Sequence, residues 1–336
     1  MITRSVFIIA EAGVNHCGDL GNAREMVEVA AGSGADAIKF QTFRAQSLTV
    51  NDAPKAEYQK QNTSDDDSQQ EMLARLELSD DDHRQLFDHC QRHGIEFMST
   101  GFDIESVDLL VRLGIQRIKV PSGEITNLPL LRHIAGQGLP VILSTGMSNL
   151  AEIDAAISGM ISAGLDADHL TVLHCNTAYP TPFEDANLAC IGTIKNELKV
   201  KVGYSDHTLG DEASVAAVAL GATIVEKHFT LDRDLPGPDQ FCSLEPGELK
   251  QMVTKIRHIE MAMGDGIKQA SVSETMNVDI ARKSLVAKMA ITKGETLSAA
   301  NITAKRPGTG VSPMRWDELV GTVAKRNYQP DDLLEI

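Results

Sequence analysis

The chain has 336 residues, more than a single hydrophobic core usually supports, which predicts one large domain with a smaller one or two domains of similar size. Its formal net charge is -16, aromatic residues make up 4%, and lysine and arginine form no dense run. Such a surface repels nucleic acids and anionic membranes, so neither is expected as a partner. Five dispersed cysteines without a C-x-x-C pair indicate reduced thiols, and the N-terminal apolar run is too short for a signal peptide or a membrane span. A cytoplasmic location is therefore expected.

Short apolar runs alternate with helical stretches through most of the chain. In chain order the predicted strands are 6–13, 37–42, 96–100, 117–120, 141–145, 170–175, 201–206 and 223–229. Helices are predicted after each strand, including those near 21–33, 80–93, 103–113 and 245–262. Continuous β-branched runs without polar alternation are typical of a parallel sheet covered by helices. Eight such units match a (β/α)8 TIM barrel, whose usual size is about 250 residues.

Two regions depart from this repeat. The connection between Gln41 and Asp80 contains the acidic stretch SDDDSQQ (64–70) and a predicted short helix, so it is interpreted as a lid or binding loop, with a disordered excursion as the alternative. The barrel is predicted over 1–266, a linker with one helical turn over 267–282, and a mostly β domain over 283–336. That domain has predicted strands at 283–290 and 301–307 and a short helix around Trp316. From Gln269 onward there are nine basic and eight acidic residues, so the barrel carries the remaining -17.

Polar residues end every predicted strand of the barrel. They are Glu11, Lys39, Gln41, Thr100, Lys119, Ser122, Ser144, Asn176, Asp206, His207, Glu226 and His228. The carboxyl ends of the strands form the active-site face of such a barrel, so the pattern indicates an enzyme.

Two histidines end the seventh and eighth strands. Side chains of His207 and His228 from neighbouring strand ends can reach one divalent ion and leave open positions, although two loop-orienting histidines would give the same pattern. His174 fits a packed histidine better. Glu11 is interpreted either as a general acid or polarising group or as the salt-bridge partner of a barrel lysine.

Two lysines are expected to point to the same mouth. Lys39 and Lys119, with the hydroxyls of Thr100, Ser122, Ser144 and Ser205, suit a phosphate or carboxylate. A single interior lysine would instead suggest a Schiff-base aldolase. The turn at 237–239 could present Asp239 to a polar substrate, but taken alone it is a weak signal because such turns are common. Lys305 and Arg306, taken alone, are interpreted as a solvated surface pair.

A series of motifs in order along the chain carries a family resemblance. They are IAEAGVNHCGD (9–19), IKFQTF (38–43), KAEYQKQNT (55–63), FMSTGFD (97–103), KVPSGEITNLP (119–129), LSTGM (143–147), LHCNTAYPTPFED (173–185), GYSDHTLG (203–210), VEKHFTLD (225–232), GPD (237–239) and KRPGTG (305–310). Together they resemble the bacterial sialic acid (nonulosonate) synthases, and the tail resembles that family's antifreeze-like SAF (β-clip) domain.

The resemblance implies an enzyme that condenses phosphoenolpyruvate with an N-acetylated mannose-type sugar to a nine-carbon 2-keto acid and phosphate. It implies that His207 and His228 bind one divalent metal, with Mn2+ expected first and Co2+ or Mg2+ as alternatives. The phosphoenolpyruvate ligands it implies are Lys39, Thr100, Lys119, Ser122, Ser144, Asn176 and Ser205. The residues it implies for sugar binding or activation are Glu11, Gln41, Glu124, Tyr179 and Asp239, and Arg306 from the partner chain of a domain-swapped homodimer.

Two positions depart from the family pattern. The Asn176 contact to phosphoenolpyruvate could be replaced by Thr177, and Gly101 stands where a proline is common, which is expected to loosen its loop. The acceptor is open between N-acetylmannosamine and 2,4-diacetamido-2,4,6-trideoxymannose, the latter defining an N,N'-diacetyllegionaminate synthase. A class I aldolase using Lys39 or Lys119 and a non-catalytic sugar-binding barrel are the competing interpretations.

Overall fold

The structure is a computed structural model that describes residues 6–51, 53–56, 59–60, 63 and 67–336. Two compact units divide the chain, Met1–Gly264 and Asp265–Ile336. Within the described residues, no helix is long and apolar enough to cross a membrane. All five cysteines lie in the described part of the chain and none forms a disulfide.

Eight parallel strands close into a barrel in the first unit, in the order of the chain. They are β1 (Phe7–Gly13), β2 (Ala37–Thr42), β3 (Glu96–Gly101), β4 (Ile118–Val120), β5 (Val141–Ser144), β6 (Leu170–Cys175), β7 (Lys201–Asp206) and β8 (Ile224–His228). The register places Glu11 beside both Lys39 of β2 and His228 of β8. The predicted TIM barrel is therefore confirmed, with each strand within two residues of its expected ends.

Helices alternate with the strands. They are α1 (Leu20–Ser33), α2 (Ala45–Leu48), α3 (Gln69–Leu76), α4 (Asp80–His93), α5 (Ile104–Leu113), α6 (Leu128–Ala135), α7 (Leu150–Ser162), α8 (Ala189–Leu198), α9 (Glu212–Ala219) and α10 (Pro246–Met263). Short 3-10 turns cover Ser122–Glu124, Ala167–His169 and Phe183–Asp185. Local signals set the helix ends: Asp19 caps α1 by accepting from the Asn22 N–H at 2.9 Å, and Gly34 ends it at φ 84°, a conformation that glycine adopts without strain.

The main hydrophobic core lies between the strands and the helix layer. It includes fully buried Ile8, Met26, Ile38, Leu86 and Leu110. A second, smaller apolar cluster joins inward-facing residues of the strands, among them Ile9, Met98 and Ile142. Side chains thus fill the barrel interior below the mouth that the carboxyl ends of the strands form.

The long connection after β2 contains two described helices, α2 and α3. Ser68 and Glu71 form a capping box that starts α3, because each side chain accepts from the other residue's backbone N–H. Residues 64–66 of the acidic stretch, and 57–58 and 61–62 of the motif before it, lie outside the described residues. The short helix is confirmed, and the lid interpretation stays a prediction.

Gly101, at which a looser loop is predicted, lies at a closely packed position. It is the last residue of β3, it is buried, and a Cβ added there would lie 2.9 Å from Val107 Cγ2. Because Gly101 has no Cβ, α5 can pack closely against the end of β3.

The second unit contains α11 (Val272–Ala281), β9 (Ser284–Ala287), β10 (Ile302–Lys305), a 3-10 turn (Pro313–Arg315) and α12 (Trp316–Leu319). Strands β9 and β10 pair antiparallel. Two expectations were wrong in detail. The predicted single helical turn is a helix of 10 residues, and each strand is 4 residues long because glycine turns and isolated bridges replace regular pairing beyond them.

Candidate active site

A cavity of about 390 Å³ lies at the carboxyl ends of the barrel strands. Its lining includes most of the residues predicted from the sequence. They are Glu11, Lys39, Gln41, Thr100, Lys119, Ser122, Glu124, Ser144, Tyr179, Ser205, His207, His228 and Asp239. The strand-end pattern therefore identified one contiguous cavity.

Two lysines and two glutamates form a buried charge cluster in this cavity. Lys39 Nζ lies 2.7 Å from Glu11 Oε2 and 3.7 Å from Glu226 Oε2, and Lys119 Nζ lies 3.5 Å from Glu226 Oε1. Each lysine of the expected anion site therefore already faces a carboxyl group, and the Glu11–Lys39 contact matches the alternative interpretation of Glu11 as the partner of a barrel lysine. Glu226 joins the two lysines, whereas the sequence identified it only as one of the polar strand ends.

The two carboxyl groups have different acidities. Burial raises the pKa of Glu11 to about 8, against the opposing effect of Lys39. Burial acts to raise the pKa of Glu226, but the positive charges of Lys119 and Lys39 outweigh it and lower this pKa to about 2. A protonated Glu11 beside an ionised Glu226 gives the four groups one net positive charge when both lysines are charged. This charge suits an anion.

Hydroxyl groups surround the cluster. Thr100 Oγ1 accepts from Lys39 Nζ at 3.0 Å, and Ser205 Oγ donates to Glu226 Oε1 at 2.9 Å. Ser144 Oγ is buried and has no hydrogen-bond partner among the described residues. A buried hydroxyl without a partner is costly, so Ser144 is suited to bind an oxygen of a ligand.

His207 and His228 lie side by side at the ends of β7 and β8, with ring centroids 5.4 Å apart. Burial lowers the pKa of His207 to about 4 and holds that of His228 well below its usual value, so both rings are neutral. His207 Nδ1 donates to the Asn176 carbonyl, which leaves Nε2 with a free lone pair. His228 Nδ1 is buried without a hydrogen-bond partner in the described part of the chain. Neutral imidazoles with available lone pairs fit a divalent metal.

Three further predicted residues line the same cavity. The Tyr179 ring lies 4.1 Å from the His207 ring, centroid to centroid. Burial raises the pKa of Asp239 to about 7, and its Oδ1 has no partner within the described structure. Glu124 Oε2 accepts from Asn127 Nδ2 at 2.6 Å, which holds that carboxylate at the rim.

Two residues, Asn176 and Asp206, are placed differently from the sequence prediction, and Arg306 lies in the second unit as predicted. Asn176 does not line the cavity, since its Oδ1 accepts from the Ala178 N–H at 2.7 Å, and Thr177 lines the cavity instead. Asp206 turns away from the mouth and pairs with Lys227 at 3.1 Å. Arg306 belongs to the second unit, where its Nε donates to the Ala281 carbonyl at 2.9 Å.

Sequence reasoning missed one side of the cavity entirely. It is formed by Val14, Leu48, Met72, Leu73, Leu76 and Phe102, which we call the apolar wall. Three of its members are on α3, and the apolar spacing within QQEMLARL (69–76) was the available signal.

One other group of possible metal ligands occurs among the described residues, away from the cavity, formed by Glu28 on α1 and His89 and His93 on α4. His89 Nε2 already lies 3.2 Å from Glu28 Oε1, and His89 Nδ1 accepts from Arg92 at 3.1 Å. Both nitrogens of His89 are therefore occupied by protein contacts.

Comparison with known proteins gives the family. A profile of the NeuB family matches residues 26–268, and one of the SAF domain matches residues 282–335. The chain belongs to the NeuB family. The family resemblance and the identity of the tail, both inferred from the sequence, are confirmed.

Three known proteins are similar to this chain over most of its length. The N,N'-diacetyllegionaminic acid synthase of Campylobacter jejuni subsp. jejuni serotype O:2 is 52% identical over 98% of this chain and 99% of its own. The protein of the same name from Legionella pneumophila is 46% identical over 96% of this chain and 91% of its own. A solved structure of the N-acetylneuraminic acid (sialic acid) synthetase of Leptospira borgpetersenii has 36% identity and a TM-score of 0.73, covering 82% of this chain and 91% of that one.

Proposed function

We propose that this NeuB-family chain condenses phosphoenolpyruvate with an N-acetylated mannose-type sugar, giving a nine-carbon 2-keto acid and inorganic phosphate. The observation that carries the proposal is the buried pair Lys39 and Lys119 in one cavity with His207 and His228. The lysines supply charge for an anionic substrate, and the histidines supply ligands for a metal.

The charge cluster binds phosphoenolpyruvate in this proposal. Lys39 and Lys119 hold its phosphate or carboxylate, because a charged donor makes roughly twice as strong a hydrogen bond as a neutral one. Thr100, Ser122, Ser144 and Ser205 supply hydroxyl groups, and Thr177 takes the position expected for Asn176. The contacts of Lys39 with Glu11 and of Lys119 with Glu226 keep both lysines in place before substrate arrives.

His207 and His228 would hold the metal, and Asp239, which lines the same cavity, is a candidate oxygen ligand or sugar contact. Their neutral rings and the unpartnered His228 Nδ1 and Asp239 Oδ1 support this assignment. A divalent ion there supplies Lewis-acid polarisation of the sugar aldehyde. The donor set of imidazole and carboxylate accepts Mn2+, Co2+ or Mg2+ with modest discrimination.

The remaining residues orient the acceptor sugar. Carbon 3 of phosphoenolpyruvate forms a bond to the aldehyde carbon, and Glu11, with its raised pKa, is suited to donate a hydrogen bond or a proton to the aldehyde oxygen. Water adds to carbon 2, with Glu124 suited to accept its proton, and phosphate leaves by cleavage of the bond between carbon 2 and oxygen. Gln41 and Tyr179 line the same space and position the sugar chain.

We also propose that the second unit serves a partner's barrel in a domain-swapped homodimer, with Arg306 contacting the sugar there. The division into 1–266, 267–282 and 283–336 belongs to this proposal. The match of residues 282–335 to the SAF domain supports it.

Phosphate release from phosphoenolpyruvate tests the proposal, with N-acetylmannosamine and 2,4-diacetamido-2,4,6-trideoxymannose as acceptors. Release is expected only when an acceptor is present and is expected to stop when a chelator removes the metal. Oxygen-18 in the bridging position of phosphoenolpyruvate should appear in the phosphate. His207→Ala should lose turnover and metal binding together, and an active, metal-independent variant would contradict the assignment.

A Schiff-base aldolase is the second candidate, and one observation favours it. Burial lowers the pKa of Lys119, as a Schiff-base lysine requires. Glu11 and Glu226 raise the pKa of Lys39 against the effect of burial, so Lys39 is poorly suited to this role. Borohydride trapping of a carbonyl substrate on Lys119 would favour the aldolase, whereas chelator-sensitive phosphate release favours the synthase.

A further inference from the structure

Residues 229–245 form the loop between β8 and α10, and this loop carries Asp239. Its ends are joined at the barrel, since the Leu244 N–H donates to the His228 carbonyl at 2.9 Å and the Thr230 N–H donates to the Leu244 carbonyl at 2.9 Å. Asp239 lines the cavity, but its Oδ1 has no hydrogen-bond partner among the described residues. The position of this carboxyl group therefore depends on how the backbone of the loop is held.

The side chain of Asn15, in the loop after β1, connects that loop to the loop after β8. Its Nδ2 donates to the Phe229 carbonyl at 2.8 Å and to Ser243 Oγ at 2.8 Å. Asn15 is 1% exposed, and it is not among the described residues that line the cavity. Both of its donor bonds are thus made within the protein, and neither is available to a ligand.

Ser243 extends this connection to Asp239. Ser243 is completely buried, and its Oγ donates to the Asp239 carbonyl at 2.6 Å. A hydroxyl group has one proton, so the oxygen that donates to Asp239 can only accept from Asn15. Cys242 Sγ also lies 3.3 Å from the Asp239 carbonyl, but a thiol is a weak donor. Asn15 and Ser243 therefore supply the stronger restraint on the backbone of Asp239.

The backbone on either side of His228 is held by other bonds as well. The Phe229 N–H, directly after His228, donates to the Glu11 carbonyl at 3.0 Å. The His228 carbonyl accepts from the Leu244 N–H, as described above. His228 is therefore fixed by backbone bonds, whereas Asp239 is linked to it through the side chains of Asn15 and Ser243.

From this arrangement we propose that Asn15 is a positioning residue, which acts through Ser243 to hold the Asp239 carboxyl group where it binds the acceptor sugar. This inference rests on the proposed function, in which Asp239 contacts the sugar and His228 binds the metal. Misplacing a substrate-positioning group by about 1 Å can lower a rate about a hundredfold. Asn15 and Ser243 therefore need not touch the sugar for their loss to weaken acceptor binding.

Steady-state kinetics of phosphate release tests the proposal, with phosphoenolpyruvate and whichever of N-acetylmannosamine and 2,4-diacetamido-2,4,6-trideoxymannose the wild-type protein accepts. Asn15→Ala should raise the KM for the sugar roughly ten- to a hundredfold, the range for losing a hydrogen bond to a charged group. The KM for phosphoenolpyruvate and the affinity for Mn2+, measured by titration calorimetry, should stay unchanged, because the lysines and His228 are held by other bonds. Ser243→Ala should raise the sugar KM in the same way, and it provides the same comparison if Asn15→Ala does not fold.

A combined variant and a matched control separate positioning from a general loss of stability. Because Asn15 acts through Ser243, the double variant should have the same sugar KM as Asn15→Ala alone. Ser99→Ala removes another buried hydroxyl, which lies 2.7 Å from Thr42 Oγ1 and is not among the groups that line the cavity. It should lower the free energy of unfolding without changing the sugar KM.

Three results would contradict the role of Asn15 and leave the proposed function standing. They are a folded Asn15→Ala variant with the wild-type sugar KM, a KM for phosphoenolpyruvate that rises as much as that for the sugar, and effects of the two substitutions that multiply in the double variant. Absence of phosphate release by the wild-type protein with both sugars would overturn the proposed function itself, and this inference with it.

Discussion

Asp206 and Lys227 form an ion pair with 3.1 Å between Oδ2 and Nζ, and both side chains are completely buried. They are register partners on β7 and β8, and each is followed directly by one of the two cavity histidines, His207 or His228. Asp206 also accepts from the Thr208 N–H at 2.9 Å and from Ser214 Oγ at 2.6 Å. The pair thus fixes the backbone that presents both histidines.

Replacing Lys227 with methionine should lower the free energy of unfolding by about 3–5 kcal/mol, because it leaves a buried carboxylate without its counter-charge. Urea denaturation measures the change. The double variant Asp206→Asn with Lys227→Met should lose less than the sum of the two single variants, since the second change removes the uncompensated charge. Strictly additive losses would show that the two groups are not coupled.

The strand pattern specified the barrel because each buried parallel strand is a short apolar run. The bounds of β2, β6 and β7 agree with the sequence prediction to the residue. The error at Asp206 has a simple physical cause. Side chains alternate along a strand, so Ser205 and His207 face the cavity and Asp206 faces the helices. This alternation was visible in the sequence, but the prediction assumed that every polar residue at a strand end faces the cavity.

The apolar wall could not be placed from the sequence. The spacing of Met72, Leu73 and Leu76 indicates an amphipathic helix, but it does not say which surface the apolar face meets. That surface depends on how the long connection returns over the barrel, and on local contacts such as the close approach of Gly18 to Arg75. Asn176 was misplaced for a similar reason, because the chain turns sharply after β6 and its side chain bonds the turn.

Lys119→Met should raise the KM for phosphoenolpyruvate, because Lys119 is one of two buried cations in the cavity. Losing one hydrogen bond to a charged group costs about 1.5–3 kcal/mol, so kcat/KM for phosphoenolpyruvate should fall roughly ten- to a hundredfold. Steady-state kinetics with each substrate varied in turn provides the measurement. The KM for the sugar should change little, and Lys119→Arg should not restore activity because the buried site is shaped for an ammonium group. Unchanged phosphoenolpyruvate kinetics would remove Lys119 from the binding site.

His16 should make stability depend on pH. Burial, with a smaller effect from His83, lowers the pKa of His16 to about 4. Its Nδ1 accepts from the Gly18 N–H at 3.0 Å, a bond that requires an unprotonated nitrogen. Between pH 6.5 and 4 the unfolded chain therefore binds a proton that the folded chain does not, so stability falls as pH falls through this range.

His16→Asn provides the comparison, because its side-chain oxygen can accept the same bond without titrating. Between pH 7 and 5 the wild-type protein should lose about 2 kcal/mol more unfolding free energy than the variant. Denaturation curves at several pH values measure both slopes, and other histidines cancel in the difference. Identical slopes would mean that His16 is protonated equally in the folded and unfolded states.

Mixing a barrel variant with a second-unit variant tests the proposed exchange of the second unit between protomers. His207→Ala removes a barrel residue, whereas Arg306→Ala alters a residue of the second unit. In a swapped dimer of one chain of each kind, one of the two sites combines an intact barrel with an intact Arg306. With random pairing, half of the dimers are mixed, so activity should recover to about a quarter of the wild-type value. Refolding the variants together gives the mixed dimers, and refolding each alone gives the control. If Arg306 instead acts within its own chain, every mixed dimer lacks an intact site and activity does not exceed that of the separate variants.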